Sequence, residues 1–68
     1  MNNSSGITIT DEKSALQLIQ AWAGKGNFVI RAAAESAELW GNHQSYEKTQ
    51  SGLRLRAAAA TLRAHLAP

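Results

Sequence analysis

The closing run, LRLRAAAATLRAHLAP, sets the strongest condition on how this chain can fold. Its four consecutive alanines are the best helix formers, and as a helix it has two apolar faces rather than one. At about 100° per residue, Leu55, Ala58, Ala59, Leu62 and Leu66 form one apolar seam. Nearly opposite lie Leu53, Ala57, Ala60 and Ala64. Arg56 and Arg63 border one flank, and Arg54, Thr61 and His65 border the other. A helix docked on its own domain needs only one such face. The spacing therefore predicts one contact within the fold and a second outside it.

Size makes an outside contact useful. A chain of 68 residues hides only about 60% of the surface its unfolded form exposes. Domains this small lean on disulfides, a metal or a second subunit. With no cysteine, disulfides and thiolate metal sites are excluded. Close helix packing or oligomerisation remains. We read the whole chain, 1–68, as one small helical domain, with 1–6 as a flexible start.

Two further helices precede the last one. ITIT, residues 7–10, alternates over four positions and reads as a short strand or an extended arm. Thr10 is placed to cap a first helix, with Asp11 and Glu12 at its positive end. Ala15, Leu16, Leu18, Ile19, Trp22 and Ala23 then fall on one side, and Lys13, Gln17 and Gln20 on the other. GKGN ends it, since Gly24 or Gly26 can take the left-handed geometry and Asn27 can cap the next helix. That second helix spans about 28–40. It shows one narrow polar strip, Arg31, Glu35 and Glu38, with Arg31 supporting Glu35 across one turn. The rest of its surface is apolar or small, which predicts the central element, with Phe28 and Trp40 in ordinary core. After GNHQS a third helical region covers about 46–66, with a kink or break near Gly52.

Extending the alanine side backwards adds Tyr46. Tyr46, Leu53, Ala57, Ala60 and Ala64 are spaced 7, 4, 3 and 4, as in a coiled-coil seam. Alanines there let helix axes approach to about 8 Å. These five are the expected interface, most simply with the same helix of a second copy, and a twofold contact would be isologous. Helix propensity alone would also accommodate the alanines.

Catalytic chemistry is hard to assemble from these residues. The only imidazoles are His43 and His65, and the only aspartate opens a helix. No nucleophile elbow, phosphate loop or dinucleotide fingerprint occurs. His43 and Glu47 stand one turn apart, too few ligands for a metal. No enzyme, metal or cofactor is expected. No stretch reaches the roughly 20 apolar residues that span a bilayer. MNNSSG lacks the features of a secretory signal, and the last helix lacks an aromatic membrane anchor. A cytoplasmic protein without a membrane partner is the expectation.

Charge is unevenly spread: residues 1–52 carry net −1 and residues 53–68 net +3, from Arg54, Arg56 and Arg63. Those three are the candidate contacts for an anion or nucleic acid. The order extended ITIT, helix, glycine turn, helix resembles the arm of ribbon-helix-helix repressors. That resemblance covers about half the chain and implies Thr8 and Thr10 facing bases, with Gly26 and Asn27 offering N–H groups to phosphate. No Lys or Arg precedes Lys13 to anchor such a ribbon. A second helix reading DNA would present Glu35 and Glu38 to phosphate.

The sequence thus predicts an all-α fold, a short extended arm followed by three helices, assembled as a homodimer. Its expected role is a non-enzymatic regulator, inhibitor or adaptor that recognises another protein. A ribbon-helix-helix-like DNA-binding regulator is the alternative.

Overall fold

The computed structural model describes residues 8–67 and contains three helices, α1 (Glu12–Ala21), α2 (Phe28–Gly41) and α3 (Gln50–Leu66). The MNNSSG start, Ile7 and Pro68 lie outside the described residues. Among the described residues there is no strand, and Thr8–Thr10, the described part of the Ile-Thr alternation, form none.

The first helix begins one residue later than expected. Asp11, in extended backbone geometry, is the cap rather than Thr10. Its carboxylate accepts the Ser14 N–H at 2.9 Å, while the Ser14 hydroxyl accepts the N–H groups of Asp11 and Thr10 at 3.1 and 3.0 Å. A carboxylate offers the free N–H groups both an acceptor and a charge, which a threonine hydroxyl does not. This bonding also fixes the arm: Ile9 folds back onto the core beside the start of α1. At the other end Gly24 and Gly26 both have positive φ, 78° and 88°, the left-handed turns anticipated after α1. Asn27 does precede α2, but its side chain makes no capping bond.

The third helix also starts later than expected. Thr49 caps it by accepting the Gly52 N–H at 3.1 Å, and residues 44–48 form turns instead of helix. Gly52 therefore sits in the first turn of α3, not within a long helix. It is buried, and its lack of a side chain has a steric cause: an added Cβ would overlap the Tyr46 carbonyl oxygen and meet the Tyr46 carbonyl carbon at 2.7 Å.

The core is one small cluster, Ala15 and Leu18 from α1, Ile30 and Ala34 from α2, Ala58 and Leu62 from α3. The predicted seam of α3 is thus the docking side, with Ala58, Ala59 and Leu62 buried and Leu55 and Leu66 half-buried. The central element is α3, not α2: α1 and α2 both pack on α3 and hardly touch each other. The reason lies in side-chain size. Ala58 and Ala59 let two helices approach the same side of α3, whereas α2 buries only Ile30, Ala34, Ala37 and Gly41, a single stripe. Phe28 and Trp40, expected in the core, are 81% and 47% exposed. Leu16 of α1 and Ala23 in the turn after it likewise face solvent. The molecule is 17 Å deep in its shortest dimension, about two packed helices.

Candidate functional site

The side of α3 that faces away from the core keeps its apolar character. Leu53 is 56% exposed, and Ala57, Ala60 and Ala64 are exposed above it. No part of the described fold covers them. Both edges of this strip are tied down. On one edge Arg63 forms a two-point contact with Glu38 of α2, Nε to Oε2 at 3.0 Å and a terminal nitrogen to Oε1 at 2.7 Å. Arg56 on the same edge donates to the Gly41 carbonyl at the end of α2. On the other edge the Thr61 hydroxyl reaches Glu12 of α1 at 3.3 Å.

The electrostatics reflect these contacts. The Arg63 guanidinium holds the Glu38 carboxyl below the usual range, and the Arg63 pKa is raised in return. The Ser14 backbone N–H, then its hydroxyl, depress the Asp11 carboxyl in the same way. Of the three tail arginines, two are therefore engaged with α2. Arg54 makes no ion pair or hydrogen bond among the described residues and is exposed. Arg31 and Glu35, expected to pair, do not: Glu38 with Arg63 is the one ion pair among the described residues.

Tyr46 is placed apart from the other four expected interface residues. It lies three residues before the α3 cap, outside the helical register that spaced it from Leu53. Instead it joins Trp40 and His43, with ring centroids 6.1 and 6.3 Å away and the Trp40–His43 pair at 5.4 Å. His43 and Glu47 share a turn, the Glu47 N–H bonding the His43 carbonyl at 2.8 Å. The His43 Nδ1 accepts the Ser45 N–H at 3.1 Å.

This aromatic corner is rigidly built. The Tyr46 carbonyl accepts both the N–H and the hydroxyl of Thr49, at 2.9 and 2.7 Å. Gly52 lets that carbonyl approach the helix. At Gly41 an added Cβ would meet Arg56 Cγ at 2.8 Å, so the close packing of the α2 end on α3 also depends on a glycine. The rings nevertheless stand in solvent, Tyr46 at 40% exposure. Beside them runs an open groove of about 650 Å³ between the arm, α2 and the start of α3. Ile9, Ala33, Ala37 and Leu55 line it with apolar atoms, and Trp40 and Tyr46 stand at it.

A third surface runs along α2. Phe28, Ala32 and Leu39 fall within one narrow strip of the helix, and Leu39 is 66% exposed. Sequence periodicity alone missed this strip and the aromatic corner, because it assigned Phe28 and Trp40 to core and Tyr46 to the α3 seam. The two apolar faces of α3 were present in its wheel, and the structure buries one of them and leaves the other exposed. No helix of the described residues is long and apolar enough to cross a membrane, and no three His, Asp or Glu among them gather as metal ligands. Comparison with known protein families, curated proteins and solved structures finds no match.

Proposed function

We propose that the protein is a small, non-catalytic protein-binding module that pairs with a second copy through the outer side of α3. The observation that carries this reading is the exposed strip Leu53, Ala57, Ala60 and Ala64, opposite the side that docks on α1 and α2. Three features make a second copy its natural occupant. The strip's small residues permit close helix approach, and a helix face of this kind complements itself across a twofold axis. The protomer core is thin, with Ile30 and Leu62 as its largest fully buried side chains, so added burial stabilises it. The flanking Arg56, Arg63 and Thr61 side chains are held by the protomer's own groups, leaving a defined apolar strip between them.

Pairing through α3 leaves the strip Phe28, Ala32 and Leu39 of α2 for the protein that the dimer recognises, as in a regulator, inhibitor or adaptor. Aromatic side chains are enriched at protein interfaces, and an apolar strip along a helix can lie in a partner's groove.

Charge substitution tests the reading. Ala57 and Ala60 are exposed in the protomer, so Ala57→Glu with Ala60→Glu leaves solvated carboxylates there and places unpaired charges in a paired state. The double variant is expected to sediment as a monomer, folded or unfolded, where the parent sediments as a dimer. A double variant that stays dimeric overturns the assignment of the strip.

A further inference from the structure

We propose that the groove beside the aromatic corner binds a small amphipathic anion, a ring-sized apolar body carrying one carboxylate or sulfonate. The inference is independent of pairing through α3, because Leu53, Ala57, Ala60 and Ala64 do not line the groove.

Its volume, about 650 Å³, falls within the roughly 300–1,000 Å³ typical of small-ligand sites. The floor, Ile9, Ala33, Ala37 and Leu55, offers an apolar body no hydrogen bond and so takes hydrocarbon or an aromatic ring. Trp40 and Tyr46 supply a π wall for that ring. The wall is held before any ligand arrives. The two Thr49 bonds to the Tyr46 carbonyl and the close approaches at Gly52 and Gly41 fix the turn that carries it. The opposite rim is held as well, since Ser14 binds the N–H groups of Thr10 and Asp11. Held walls lower the entropy cost of binding.

Unengaged donors, rather than net charge, select an anionic head group. Two charged residues line the groove, Asp11 and Arg54. The Asp11 carboxylate stays ionised, its pKa lowered first by the Ser14 N–H and hydroxyl and more weakly by the Arg54 charge, so the groove carries one charge of each sign. Its oxygen is already occupied by Ser14. Arg54 has no hydrogen-bond or ion-pair partner among the described residues. A guanidinium beside an apolar floor pairs with a single carboxylate or sulfonate through charge-assisted bonds, and the Ser36 and Ser51 hydroxyls add neutral donors nearby.

The probe is 8-anilinonaphthalene-1-sulfonate, compared with N-phenyl-1-naphthylamine, which keeps the rings and lacks the sulfonate. Fluorescence titration of the full chain should show saturable one-to-one binding of the sulfonate. Amide shifts should concentrate at Ala33, Ser36, Ala37, Ser51 and Leu55. Arg54→Gln should weaken the sulfonate about tenfold, the scale of one charge-assisted bond, and leave the naphthylamine unchanged. Its circular dichroism melt should match the parent, which shows that the fold is intact. Equal weakening of both probes, no effect of Arg54→Gln, shifts centred on Phe28 and Leu39, or no saturation overturns the proposal.

Discussion

Gly52→Ala should destabilise this protein, although alanine is the better helix former. Propensity alone favours the substitution by about 1 kcal/mol at an interior helix position, and by less in a first turn. Against this, the new Cβ would overlap the Tyr46 carbonyl oxygen, and Gly41 O lies 3.2 Å from it on another side. The least costly relief is retreat of the turn carrying Tyr46. That retreat breaks the Thr49 N–H and hydroxyl bonds to the Tyr46 carbonyl, each worth about 1 kcal/mol net. It also loosens the edge contact of Tyr46 with Trp40, about 0.5–1 kcal/mol in such pairs. The balance is a loss of about 1–2 kcal/mol. For a domain of this size each kcal/mol lowers the melting temperature by about 4–8 °C, so a drop of about 5–15 °C is expected. Far-UV circular dichroism melts of the variant and the parent measure it. Gln50→Ala, at an exposed site of the same turn, should stay within about 0.5 kcal/mol. A Gly52→Ala protein that melts at or above the parent temperature refutes the steric account of this glycine.

The same structure fixes other outcomes. Leu62→Ala removes one of the two large fully buried side chains. It should cost about 2–5 kcal/mol, enough to unfold much of the population in a urea titration. Gly24→Ala should lose about 1–2 kcal/mol from its left-handed backbone alone, because an added Cβ there meets nothing within 4 Å. Asp11 and Glu38 both titrate lower in the folded protein than in the unfolded chain. The stability they lend is therefore full above the ordinary carboxylate values near about 4 and is lost as pH falls through their depressed folded values. Melting temperatures should hold steady from neutral to mildly acidic pH and then decline, and Asp11→Asn with Glu38→Gln should flatten that decline.

Part of this architecture was legible in the residues themselves. The Leu55 to Leu66 seam is a strong periodic signal, and the structure buries it. Gly24 and Gly26 take the left-handed geometry that GKGN implied, because glycine meets no penalty there. What escaped was set by partners distant in sequence. Arg63 could be read as a solvated flank until α2 placed Glu38 beside it, 25 residues earlier. Gly52 read as a helix interruption, whereas its role depends on a carbonyl from the preceding turn. The choice of α2 as the centre failed for a similar reason. Apolar content says that a surface prefers burial, not that the fold has neighbours enough to bury it, and here the small side chains of α3 drew both helices to itself. The aromatic corner was invisible for the same cause, since Trp40 and Tyr46 fall on no common helical face.

Assembly rests on the outer strip of α3 meeting its own copy. Sedimentation equilibrium of the parent chain over a concentration series measures this most directly. Pairing predicts a mass twice the 7.3 kDa of one chain, falling toward one chain only on dilution. A mass of one chain at every concentration contradicts it.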